Sequence, residues 1–194
     1  MLSESNNPKR EQILGTAKDL FMRYGTRRVS IEEICRTANI SKMTFYKFFA
    51  NKLALTKELL HQIFDEAEVQ YNRIIRADVP FERKVKQLIE LKLAQNENMS
   101  AELIAELVQN PNPEIATMIE ERRNQNIKRI LKDLQHAQEN GDIRPDIKPQ
   151  FIVYLFDAMT KMMMDSQLNQ FYATPRDLIA ELVNFFFYGI LSAK

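Results

Sequence analysis

Lys42, Met43, Thr44, Tyr46 and Lys47 share one six-residue run and bring together two ammonium groups, two hydroxyls and a thioether. At 100° per residue Met43 and Lys47, four apart, point the same way, and Lys42, Thr44 and Tyr46 flank them. This is chemistry of recognition. A lysine reaches guanine acceptors or phosphate oxygens, hydroxyls donate to phosphates, and a methionine can lie against a thymine methyl. Taken alone the same face suits plain solvent equally well, since surface lysines and single exposed apolar residues are common. The neighbouring residues decide between the two.

Those residues need a short helix anchored from behind. Ser41 can cap it, and Phe45, Phe48 and Phe49 gather on its other side. Just before it, Ile31, Ile34, Cys35 and Ala38 fall at i, i+3, i+4 and i+7, one face of a helix. Ser30 as N-cap with Glu33 three residues on makes a capping box. Asn39 stands where the chain must reverse, and after Gly it is the residue that best tolerates a left-handed backbone. Two short helices around a tight turn is the layout of a helix-turn-helix reader of DNA. A preceding helix carries Ile13, Leu14, Ala17, Leu20 and Phe21 and stops at Gly25. Asn51 can cap a long fourth helix that Lys52 opens and that runs through Leu53, Thr56, Leu60, Ile63, Phe64, Ala67 and Tyr71. The free amides of that N-terminus, with Lys52 beside them, can hold a phosphate.

Charge is divided the same way. Residues 1 to 52 hold ten Lys and Arg, including Arg27 and Arg28, against five Asp and Glu, so that segment is +5 and the remainder −4 of a chain whose net charge is +1. A basic head is what phosphate neutralisation requires. The chain has 194 residues with 4 Gly and 7 Pro, and most of these fall between helical patterns, which favours an all-helical protein. The single cysteine, Cys35, sits on a buried face and reads as core. Met1 to Asn7 is short and polar, and no apolar run approaches the roughly 18 residues a membrane span needs, so a cytoplasmic protein is expected.

Catalysis finds no support. His61 and His136 stand alone, no metal-ligand spacing occurs, and no metal or cofactor is expected. Paired acids such as Glu32-Glu33 and Glu120-Glu121 lie beside Arg or Lys, where solvation or helical pairing accounts for them.

The remaining sequence predicts helices over 80–96, 100–109, 113–139, 149–168 and 175–191, with Pro80, Pro113, Pro149 and Pro175 at first turns and Gly141 as a stop. The penultimate helix, with Phe151, Ile152, Tyr154, Leu155, Phe156, Met159 and Met162 to Met164, is apolar on more than one face. The last, with Leu178, Ile179, Leu182, Val183, Phe185 to Tyr188 and Ile190, is too apolar for a monomer surface. Both can pair with their copies in a homodimer. Membrane-surface binding is disfavoured, because the last helix lacks a basic polar face. Tyr154, Met159, Met162 and Met163, with Phe64 and Tyr71, are candidates to line a cavity for a hydrophobic or amphipathic effector, although methionines at helical spacing are more often core.

From Lys9 to Leu55, about a quarter of the chain, the sequence resembles the TetR family of bacterial transcriptional regulators. The resemblance rests on Tyr24-Gly25, Ser30 to Cys35, Ala38-Asn39-Ile40-Ser41, Phe45-Tyr46 and Phe49-Ala50-Asn51-Lys52. Asn39 replaces the family's usual turn glycine and Met43 a glycine common early in the reading helix. The resemblance implies an all-α subunit with a three-helix DNA-binding domain over residues 1–51. A long fourth helix would join it to an effector-binding and dimerisation domain over 52–194. It further implies that Ser30, Ser41, Lys42, Thr44, Tyr46 and Lys52 touch phosphates or bases of a pseudo-palindromic operator. Two other readings stay open, an architectural DNA-binding dimer without a ligand and a helical adaptor whose basic head meets an acidic protein.

Overall fold

Asn7 and Pro8 set the start of the first helix, α1 (Pro8–Tyr24): the Asn7 side chain accepts a hydrogen bond from Lys9 N, and proline occupies a turn whose N–H has no helical partner. In the computed structural model residues 7–97, 100, 102–103, 106–107, 112–163 and 165–190 are described, and regular structure among them is helical. After α1 come α2 (Ile31–Thr37), α3 (Lys42–Phe48), α4 (Lys52–Ile75) and α5 (Phe81–Glu97), then α6 (Pro113–Glu139), α7 (Pro149–Met163), α8 (Ser166–Asn169) and α9 (Pro175–Ile190).

The punctuation expected of the head is present. Gly25 ends α1 at φ 77°, its N–H bonded to Phe21 O, and Asn39 turns the chain at φ 49° between α2 and α3. Ser30 accepts from Glu33 N, Ser41 from Thr44 N and Asn51 from Ala54 N, so α2, α3 and α4 each start on a side-chain cap. Behind these caps one apolar cluster joins the first four helices. Ile13, Leu14, Ala17 and Phe21 of α1 meet Ile34 and Cys35 of α2, Phe45 of α3, and Leu55 and Leu59 of α4, with Val29 and Phe49 from the connections.

Compactness groups the chain into two units, Met1–Gln70 with Lys92–Glu120, and Tyr71–Leu91 with Glu121–Lys194. The helix-turn-helix segment thus lies inside a larger unit, whose second cluster is Leu60, Ile115 and Met118 with Leu53, Phe64, Leu107 and Ile119 around them. The other unit is built on Ala137, Ile143, Ile152, Met159 and Phe186. There Phe156 meets Phe186 edge-on at 5.0 Å, and Gly141 at φ 79° ends α6 so that Ile143 folds back under Ala137.

Two helix expectations need correction. The helix expected over 149–168 breaks, because the Asp165 carboxylate accepts from Gln167 N and Leu168 N and starts the separate turn α8. The one expected from Pro80 begins at Phe81, with Pro80 O accepting from Arg83 N and Lys84 N. Of the helix expected over 100–109, residues 102–103 and 106–107 are helical. Met164, Leu191, residues 108–109 and the side chains of Val183, Phe187, Tyr188 and Ile190 lie outside the described set. Among the described residues no helix is long and apolar enough to cross a membrane.

Phe45 has no solvent exposure, and truncating a buried phenylalanine removes its transfer energy and leaves a cavity. Phe45→Ala is expected to lower unfolding stability by about 3–5 kcal/mol, measured by denaturant titration.

Candidate nucleic-acid interface

The outward side of α3 is set by what its inward side must do. Phe45 is fully buried among Ile13, Ile34 and Leu55 of three other helices, which fixes the rotation of a seven-residue helix, and its ring meets Tyr46 edge-on at 5.4 Å and Phe49 tilted at 5.8 Å. Helical geometry then turns Met43 and Lys47 away from the core. Met43 is 85% exposed, Tyr46 is 53% exposed, and Lys42 and Lys47 are exposed beside them. Ser41 and Thr44 are closer to the cap itself, their hydroxyls 2.9 Å apart.

The charged groups are less free than their exposure suggests. Lys42 Nζ donates to Glu32 Oε1 of α2 at 3.0 Å, an exposed pair that a phosphate can compete for. The Arg28 guanidinium lies 5.1 Å over the Tyr24 ring, and Ser30 Oγ, which caps α2, keeps its own hydrogen available to donate. Lys52, expected beside a phosphate, is engaged by the protein's own backbone. Its ammonium donates to Thr26 O at 2.8 Å, Val29 O at 2.9 Å and Arg27 O at 3.5 Å, so it closes the α1–α2 loop from below. The helix N-terminus and the family resemblance marked Lys52 as a phosphate contact, and three backbone carbonyls hold its ammonium in this fold.

Other residues that shape the head carried no motif. Glu106 accepts from Thr26 N and Thr26 Oγ1, both at 2.7 Å, and from Arg27 N at 3.1 Å. Gln12 Nε2 donates to Ala38 O at the end of α2. Arg10 bonds Glu58 at 2.8 Å and lies over the Phe49 ring at 5.4 Å. Arg10 and Glu58 are 48 residues apart and Thr26 and Glu106 are 80 apart, beyond the reach of any local pattern. Burial pushes the Cys35 thiol up, with Lys42 opposing and Glu32 adding, so the group stays protonated core rather than a reactive thiolate.

The six residues expected to line a ligand cavity do not form one group. Phe64 packs with Leu60, Ile115 and Met118 in one unit, whereas Met159 belongs to the Ile152 and Phe186 cluster of the other, and Met163 is half-buried. Tyr154 is 72% exposed and Met162 is also exposed, which corrects their assignment to an internal cavity: on α7 the face with Ile152 and Met159 is the one buried. Tyr71 is half-buried. It donates to Asp133 Oδ2 at 2.8 Å under the Arg129 guanidinium, 5.0 Å from the ring, and burial followed by the Asp133 bond raises its pKa. A cleft of about 480 Å3 lies beside the α1–α2 loop, lined by Thr26, Lys52, Thr56, Glu106 and Pro113 among others, and none of the six lines it. His61 and His136 are exposed, His136 Nδ1 lying 3.4 Å from Glu139. No cluster of three His, Cys, Asp or Glu able to hold a metal occurs among the described residues.

Comparison with known proteins gives the chain's relationships. Residues 13–59 match the family described as bacterial regulatory proteins, tetR family. The chain is 26% identical over 142 residues to the HTH-type transcriptional regulator UidR of Escherichia coli, covering 72% of this chain and 71% of that one. It is 27% identical over 156 residues to the HTH-type transcriptional repressor KstR2 of Mycobacterium tuberculosis, covering 77% and 76%. In fold it is similar to a TetR-family transcriptional regulator from Cytophaga hutchinsonii, with a TM-score of 0.78 over the full length of both chains at 14% identity.

Proposed function

This chain belongs to the TetR family of bacterial transcriptional regulators, and we propose that it acts as a homodimeric repressor whose paired α3 helices read a pseudo-palindromic operator and let go when an effector binds the body. Regulators of this family bind DNA and are not enzymes. The observation that carries the reading is the division of α3, with Phe45 and Phe49 buried while Met43, Tyr46 and Lys47 face outward. Two such helices enter successive major grooves when the half-sites stand about 34–36 Å apart or a multiple of that.

Within this reading Lys42, Lys47, Arg27, Arg28, Ser30, Ser41, Thr44 and Tyr46 supply phosphate and positioning contacts, and Met43 supplies base contact through its thioether. Lys52 supports the loop that carries Arg27 and Arg28 rather than meeting phosphate itself.

A stripe on α7, made by Phe151, Tyr154 and Met162, and Phe185 on α9, which is 79% exposed, are large apolar groups left on the surface. Such exposure favours burial against a second copy, in keeping with isologous pairing of the last long helices. For the effector, the apolar cluster around Met159 and Phe186 and the Tyr71–Asp133–Arg129 group belong to the same unit, which supports a molecule with an apolar body and one polar end. Its differential affinity for dimer shapes that do and do not span both grooves sets how far it releases DNA. The cytoplasm is the compartment in which such a regulator meets its operator.

Three measurements test this. In a sequence-randomised binding assay Tyr46→Phe is expected to weaken all sites alike and Lys47→Ala to reduce the salt slope by about 1, whereas Met43→Ala shifts preference at one base pair; the reverse assignment refutes the reading face. Tyr154→Glu with Phe185→Glu is expected to turn the dimer into monomers by native mass, and an intact dimer refutes the pairing surface. Amphipathic compounds are expected to raise the melting temperature, and stabilisation by small hydrophilic compounds alone would refute the effector class.

A further inference from the structure

The loop between α1 and α2 is held from both sides of its peptide planes. From below, Lys52 Nζ gathers the carbonyls of Thr26, Arg27 and Val29. From the other side one carboxylate, Glu106, accepts from Thr26 N, Thr26 Oγ1 and Arg27 N. Successive backbone N–H groups converging on one anion form a nest, and bonds to a charged acceptor are roughly twice as strong as neutral ones. The close fit extends to Gly25, where an added Cβ would stand 2.6 Å from Glu106 Oε1 at a backbone φ of +77°.

Glu106 does not arrive alone. Ser100 N donates to Met22 O at 2.8 Å, filling a carbonyl that the last turn of α1 leaves without a helical partner. Ser100 Oγ in turn caps Leu103 N at 3.2 Å, Leu103 is buried, and Leu107 packs against the Leu60, Ile115 and Met118 cluster. Ser100 is therefore seated on the last turn of α1, and Leu107 on the cluster of Leu60, Ile115 and Met118.

We propose that Glu106 is a positioning residue for DNA binding, a latch that holds the Thr26–Val29 loop in the shape from which Arg27, Arg28 and Ser30 meet the duplex. It touches no DNA itself. Because the acceptor lies 80 residues downstream of the loop, DNA affinity depends on where that downstream segment stands, and any state of the chain that withdraws it leaves two backbone donors and one hydroxyl to water. This rests on the DNA-binding reading of α3 and adds to it the means by which the rest of the chain is felt there.

The test uses the full-length dimer and a duplex selected by the wild-type protein from a randomised library. Glu106→Gln keeps the side chain's size and removes its charge. The variant is expected to bind that duplex about tenfold more weakly per folded dimer, with the amides of Thr26 and Arg27 exchanging hydrogen at least about tenfold faster in the absence of DNA. Thr26→Val removes one donor to the same carboxylate, so in the Glu106→Gln background it is expected to cost little further affinity. Glu106→Asp, which keeps the charge on a shorter arm, is expected to restore part of the affinity. A purely structural role would lower the melting temperature while affinity per folded dimer stayed within about twofold, and that result overturns the proposal, as do unchanged amide exchange or fully additive variants. If the wild-type protein selects no duplex, the regulator reading fails instead, and the exchange measurement still decides whether the latch exists.

Discussion

The burial of Phe45 is the constraint on which the interface depends. A seven-residue helix has too few internal hydrogen bonds to stand by itself, since nucleation costs more than so short a run returns. Its orientation is set by side chains. Phe45 has no exposure, Phe49 follows it into the same cluster, and Ile13, Ile34 and Leu55 close around them from three other helices. Met43 and Lys47 face outward because Phe45 cannot.

Much of this head was legible in the sequence, because its signals are short-range. Ser30, Ser41 and Asn51 are caps within three residues of the amides they serve, and Asn39 adopts the left-handed turn its side chain tolerates. The family itself could be read from the same stretch. What could not be read lies at long separation. The helix N-terminus and the family resemblance made Lys52 look like a phosphate ligand, whereas the fold supplies three carbonyls to it from a loop more than twenty residues earlier.

The body was harder to read for a different reason. When a helix is apolar on more than one face, periodicity identifies the faces without saying which is covered within the subunit. On α7 the Ile152 and Met159 side went inward and the Tyr154 and Met162 side outward, so residues expected to share a cavity were parted. At the end of α7 the apolar run also hid a polar signal. Asp165 competes for the amides ahead of it and starts a new turn.

The ion pair between Lys42 and Glu32 alters how the thermodynamics of DNA binding should be counted. A lysine that leaves solvent for a phosphate displaces condensed cations from the duplex, and the logarithmic dependence of affinity on salt measures how many. In the proposed contact with phosphate, Lys42 must first part from a carboxylate. Glu32, left facing the same polyanion, then retains a small cation of its own. The ions released will number fewer than the lysines in contact, and a contact count taken from the salt dependence will fall short of the one taken from geometry.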